Sequence, residues 1–169
     1  MVWTSARAHT MVEICSKLFK STDQLCLVAM WARDMLGLTF DQYNGKTKVY
    51  KRLTSVWNNK RIQVSHPDHK NGGRWSQANT LLIDDSIEKA AAQPYNLINI
   101  PELTRALVDV EAEQNVLRQV AGYIEEASHW DDVSAFARQK PFRVREYWNR
   151  EEAPVAVPQM GNQRIEPEL

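Results

Sequence analysis

Cysteine is scarce in this sequence: among 169 residues there are two, Cys15 and Cys26. Two thiols make no disulfide framework. Neither sits in a CxxC or Cys/His array, so no zinc site is implied. Cys15 falls on an apolar helical face and Cys26 in an apolar run, and both are expected to be small core residues. Net charge is lacking too. Lys plus Arg is 21 and Asp plus Glu is 21, without the basic excess of a general nucleic-acid binder. No apolar run approaches the roughly 18 residues of a membrane span, and no signal-peptide pattern opens the chain. The expected setting is intracellular, the nucleus or cytoplasm rather than outside the cell.

What is present is a sequence able to fold. Hydrophobic residues make up 43%, enough for a packed core. The charges are segregated: residues 1–75 carry 12 basic and 5 acidic side chains, and the remainder carries 9 and 16. A basic half can face an anionic substrate, or the clustering can be a property of a solvated surface. Met1–Thr4 and Leu25–Trp31 read as strands. Between them, Ala8, Met11, Cys15 and Leu18 share one face of a 3.6-residue period. Gly37–Gly45 reads as a loop and Lys46–Trp57 as a helix. Residues 58–79 are polar, with Pro67 and Gly72–Gly73, and are expected to form an exposed insertion. Thr80–Ile83 and Leu97–Ile100 are two further short strands. This alternation predicts an α/β fold with a parallel sheet over residues 1–101. A helical segment is expected over 102–148. It includes a stripe over 103–124 (Leu103, Leu107, Val110, Leu117, Ala121, Ile124) that would cover the sheet or fill a partner's groove. A second helix is expected over Asp131–Gln139 and a flexible tail over 149–169.

The chemistry concentrates in TLLIDDS, Thr80–Ser86, where an apolar strand delivers two adjacent acids at its C-terminal end. Ligands of open α/β sheets bind at such ends. Neighbouring carboxylates repel and need a cation or a lysine to stay ionised, and Mg²⁺ with oxygen ligands is one solution. A helix cap at Asp85 or Ser86 is the other reading. His66 and His69 lie at i and i+3 in a polar loop without a third ligand. Trp31, Trp57 and Trp75 suit core and loop-anchoring roles, with a ligand surface as the alternative.

The stretch NTLLIDDSIEKAAAQPYNLINIP, Asn79–Pro101, resembles the fourth motif of the CTD-phosphatase, or NLI-interacting-factor-like, family of aspartate-nucleophile (HAD-type) phosphatases. Ile87 stands where that family often has Pro. VWTSARAH, Val2–His9, resembles its second motif and VYKRL, Val49–Leu53, its third, with Arg52 in place of an Asp. WARDM, Trp31–Met35, sits where the family has an Arg–acid pair. The motifs keep the family's order across the first hundred residues.

The resemblance implies roles. Thr4 and the backbone N–H of Ser5 would bind a phosphoryl oxygen. Lys51 would neutralise the nucleophile and the transferring phosphoryl group. Asp84 would orient Lys51 and the metal shell, and Asp85 would be a Mg²⁺ ligand. The substrate implied is a phosphoserine or phosphothreonine protein. The family's first motif, Asp-x-Asp-x-Thr/Val, supplies the nucleophile, and no Asp-x-Asp occurs here. The resemblance therefore implies a partial, N-terminally truncated HAD-type sheet without its central strand. Either its neighbours close up into one four-stranded sheet or the chain folds poorly. Such a chain is expected to be inactive and to bind Mg²⁺ weakly. The alternatives are a non-catalytic protein-binding module, as in import-receptor relatives, and a helical adaptor using the 103–124 stripe.

Overall fold

A computed structural model describes residues 1–102 and 110–144, with the side chains of 110–114 excepted. Four short strands occur among them: β1 (Val2–Trp3), β2 (Met30–Trp31), β3 (Leu82–Asp84) and β4 (Leu97–Asn99). The helices are α1 (Ala8–Leu18), α2 (Ser21–Leu25), α3 (Phe40–Asn44), α4 (Leu53–Trp57), α5 (Lys60–Val64), α6 (Val110–Ala127) and α7 (Val133–Gln139). β1 pairs in parallel with β2, and β3 in parallel with β4, as two separate two-stranded sheets. The mixed α/β class and the parallel pairing agree with the pattern of the sequence. The single four-stranded sheet does not form among the described residues.

Strand alternation sends successive side chains to opposite faces. Val2 packs against the cluster of Met11, Cys15 and Ala32, where α1 covers one face of β1–β2. Trp3 turns the other way, into a core of Trp3, Trp31, Leu53, Val56 and Ile62. Trp3 and Trp31 meet edge to face, 5.2 Å between centroids. Leu82 of β3 packs against the same core, so both strand pairs rest on one apolar cluster. A third cluster joins Ala127, Val133 and Phe136 to Leu81, Tyr123 and Trp130.

Several local expectations shift. In the first apolar run, Leu25 ends α2 and only Met30–Trp31 is strand. Cys26 is exposed, not a core residue; it follows a helical turn that projects it to solvent. In the α1 stripe Met11 and Cys15 are buried, but Leu18, in the last turn, is 70% exposed. Gly37–Gly45 contains α3, which Thr39 starts with a capping box to Gln42. The helix expected over Lys46–Trp57 is confined to α4. Lys51 N–H donates to Lys89 O, and Leu53 N–H to Gln93 Oε1, and these long-range bonds hold the chain extended up to Arg52.

The polar stretch 58–79 is not simply an exposed insertion. It contains α5, capped by Asn59, with Ile62 and Gln63 buried. Gln63 donates to the carbonyls of Trp57 and Trp75 and accepts from Trp75 N–H. Trp57 Nε1 donates to Thr80 Oγ1 and Trp75 Nε1 to Ser65 Oγ, so these indoles anchor loops to the core. His66 stacks edge to face on Trp75 and accepts from Asp68 N–H. A Cβ on Gly73 would lie 2.6 Å from His66 Nδ1, so the turn needs glycine there.

The C-terminal helices reverse another expectation. Of the apolar stripe, Leu117, Ala121 and Ile124 are exposed. The packed face of α6 is offset from it, at Val120, Tyr123 and Ala127, because α7 folds back there with Phe136 fully buried. Asp132 caps α7 through Ser134 and Ala135 N–H. Leu103, Leu107, the Val110 side chain and the tail 149–169 lie outside the described residues.

Replacing Gln63 by Leu keeps the volume but leaves two carbonyls and one N–H without their partner. Each buried group left unpaired costs about 1–3 kcal/mol. Urea unfolding followed by tryptophan fluorescence should show a loss of at least about 2 kcal/mol; an unchanged midpoint would mean water replaces the amide.

Candidate functional site

The apolar strand β3 ends at Asp84, whose side chain is 3% exposed. A carboxylate so buried needs compensation, and the extended segment before α4 supplies it: Lys51 Nζ lies 2.6 Å from Asp84 Oδ2. The Lys51 side chain is itself only 9% exposed. A second lysine was not singled out by the sequence reading. Lys89 Nζ lies 3.3 Å from Asp84 Oδ1 and 3.1 Å from Asp85 Oδ1. The signal for it was present, since Lys89 follows Asp85 by four residues in a helical turn. Asp84 Oδ1 also accepts from Ser86 N–H at 3.0 Å, and Asn99 Nδ2 donates to Asp84 O at 3.2 Å. Ser86 makes no side-chain cap.

Burial pushes the Asp84 carboxyl up, but the hydrogen bond and charge of Lys51 with the Ser86 amide outweigh it. The net effect holds Asp84 below its ordinary value. For Lys89, burial acts downward, while the hydrogen bond to Asp85 and the charge of Asp84 raise it overall. The cluster is thus two carboxylates against two ammonium groups.

Thr4 and Ser5 follow β1 directly. Thr4 Oγ1 accepts from Ala6 N–H at 3.1 Å, a local turn bond, and Ser5 lines a surface cleft. Among the described residues no hydrogen bond or ion pair links Thr4 or Ser5 to the Lys51–Asp84 cluster. The connection is through the core. Trp3, Leu53 and Leu82 belong to one apolar cluster, each one or two residues from Thr4, Lys51 or Asp84.

The donor set does not fit a complete Mg²⁺ site. Asp84 and Asp85 are two carboxylates already engaged by lysines. Among the described residues no three His, Cys, Asp or Glu gather to hold a metal, so the protein would give a Mg²⁺ ion at most these two carboxylates, with water and substrate oxygens completing the octahedral shell. His66 and His69 belong to no such group.

A family model for NLI interacting factor-like phosphatases matches residues 1–134. The chain belongs to this family. It is also similar to an uncharacterized FCP1 homology domain-containing protein of Schizosaccharomyces pombe, 28% identical over 144 residues. That match covers 85% of this chain and 57% of the relative, so the chain spans little more than half of that protein's length. No solved structure matches. No helix among the described residues is long and apolar enough to cross a membrane.

Removing one partner of a buried ion pair strands the other charge, at about 3–5 kcal/mol. Asp84→Ala should therefore destabilise the chain by that amount, and the double change Asp84→Leu with Lys51→Met should recover most of it. Because the folded-state pKa of Asp84 is depressed, its contribution is present above the unfolded carboxyl value of about 3.9 and is lost as pH falls through the folded value. Thermal melts from pH 7 to pH 2 should show a shallower acid limb in the double variant. Equal acid limbs would place the pH dependence in other carboxylates.

Proposed function

We propose that this chain carries the phosphate-handling part of a HAD-type phosphoserine/phosphothreonine protein phosphatase domain and does not itself turn over phosphomonoesters. The observation that carries this reading is the buried Lys51–Asp84 pair, 2.6 Å apart at the end of a parallel strand. A lysine held there by a carboxylate, with no freedom to swing away, is preorganised to stabilise a transferring phosphoryl group. Thr4 and the Ser5 N–H are assigned to a phosphoryl oxygen and Lys51 to its charge. Asp84 is assigned to hold Lys51. Asp85, paired with the partly exposed Lys89, is the side chain open to a weakly held Mg²⁺, and no step is derived through that ion.

The covalent step needs an attacking carboxylate, and Asp84 is committed to two lysines. The strand pairing supports a place for a nucleophile-bearing segment. Val2 N–H donates to Ala29 O, just before β2, and Thr4 N–H, just after β1, to Trp31 O of β2, so alternation turns the backbone of Trp3 to the opposite edge. In β3 the Asp84 carbonyl faces β4, which turns the backbone of Ile83 outward. On this reading a further parallel strand ending in Asp-x-Asp would pair with these edges.

A second reading, a non-catalytic protein-binding module, draws on the exposed Leu117, Ala121 and Ile124 of α6. One experiment separates the two. The 169-residue chain should show no Mg²⁺-dependent hydrolysis of an aryl phosphate. Extending it with the first-motif strand of a close relative should produce activity, which Lys51→Ala should reduce by at least about 10²-fold. A well-folded extended protein without turnover would favour the binding module. Turnover by the unextended chain, lost on Asp84→Ala, would show that the nucleophile lies elsewhere.

A further inference from the structure

Beside Ser5 lies a cleft of about 450 Å³ whose lining includes Arg7, Tyr43, Asn44, Lys46 and Thr47. Its floor is built by Arg33, whose guanidinium donates to the carbonyls of Gln42, Tyr43 and Gly45. That arginine is spent on fixing the loop around α3. Arg7 and Lys46 are not. Arg7 is exposed, lies 5.5 Å from the Tyr43 ring and makes one long hydrogen bond, 3.4 Å, to Asn44 Oδ1. Among the described residues no carboxylate pairs with Arg7 or Lys46, and no acid lines the cleft. The cleft thus carries three cations, Arg7, Arg33 and Lys46, with no acid in its lining to offset them.

We propose that this cleft binds an acidic side chain of the substrate peptide, within a few residues of the phosphorylated hydroxyl. This deepens the reading above and rests on it for the place of the phosphoryl group. The argument is one of adjacency and charge. Thr4 and Ser5 run directly into Arg7, so a peptide delivering its phosphate to Thr4 has neighbouring residues over the cleft. An arginine stacked on an aromatic ring keeps its N–H fork free and oriented for a carboxylate or a second phosphate. The Lys51 cluster is neutral in sum, so Arg7 and Lys46 supply the local positive potential that favours an acidic peptide.

Binding can be read on the chain as it stands, by fluorescence anisotropy with four labelled peptides. These carry phosphoserine or serine, each flanked by Asp/Glu or by Ala. The acidic phosphopeptide should bind at least about fivefold tighter than its Ala-flanked counterpart at low salt, the margin shrinking in high salt. Lys46→Ala and Arg7→Gln should each remove much of that margin while leaving the Ala-flanked phosphopeptide unchanged. Arg7→Glu should reverse the margin, so that the Ala-flanked phosphopeptide binds tighter than the acidic one. Lys46, exposed and without a partner among the described residues, tests the cleft should Arg7 prove necessary for folding. Equal binding of acidic and neutral peptides, or a margin untouched by the Arg7 and Lys46 changes, overturns the proposal. The phosphate reading fails separately. If Thr4→Val and Lys51→Met leave phosphopeptide binding intact while the acidic margin still depends on Arg7 and Lys46, the cleft stands and the phosphoryl site does not.

Discussion

Lys51 and Asp84 are separated by 33 residues and meet at 2.6 Å in a place almost without water. Two charges in a low-dielectric setting cannot be left apart, so this contact constrains whatever carries them. On one side it closes the end of β3. On the other it draws in the extended segment before α4, helped by Lys51 N–H to Lys89 O and Leu53 N–H to Gln93 Oε1. Leu53 then enters the tryptophan core with Val56 and Ile62. The ion pair and the apolar cluster thus fix each other: the core sets where Lys51 can reach, and the carboxylate sets where α4 begins.

The same core holds together two strand pairs that share no ladder. Trp3 is buried beside Trp31, yet its backbone faces away from β2 and its indole N–H has no partner among the described residues. Orphaned buried groups are rare and costly. In the β3–β4 half a buried amide ties the turns together. Asn96, wholly buried, donates to the carbonyls of Gln77 and Thr80, and α7 packs over these turns with Gln77 bonded to Ser134. Satisfaction is incomplete there as well: Asn96 Oδ1, like the Trp3 indole N–H, is buried without a partner among the described residues.

Sequence reasoning placed strands at Met1–Thr4, Thr80–Ile83 and Leu97–Ile100, where Val2–Trp3, Leu82–Asp84 and Leu97–Asn99 form, because apolar runs ending in acids, hydroxyls or Pro are local signals. It reached Lys51 and Asp84 through motif resemblance, and the ion pair joins them. It failed where a distant bond overrides a local period. Val49, Leu53 and Val56 are spaced for a helix, but the Lys89 carbonyl and the Gln93 amide hold the chain extended before Leu53. On α6 the regular stripe at Leu117 and Ile124 pointed to the buried face, whereas the return of α7 selects Val120, Tyr123 and Ala127. Which of two apolar stripes is covered depends on the neighbour, and one helix's period does not contain it. The adjacent Arg33–Asp34 of the WARDM stretch is legible as a motif, but the bonding of Arg33 to three carbonyls of the α3 loop is a role no spacing rule announces.

Charge arithmetic explains why the candidate site reads as two neighbouring regions. In the acid cluster the two ammonium groups of Lys51 and Lys89 meet two carboxylates, and the Asp84 carboxyl is held ionised. Such a cluster is rigid but neutral, so it exerts little long-range pull on a phosphate dianion. Its value on the proposed reading lies at contact distance, where a fixed lysine acts without reorganisation. Attraction over a longer range must come from charge that is not cancelled. The N-terminal half has that surplus, and Arg7 and Lys46, unpaired by any described carboxylate, place part of it beside Thr4 and Ser5. On the proposed reading, positioning by a neutral buried pair and capture by uncompensated surface charge are separable physical tasks, carried by different residues that the fold brings to neighbouring places.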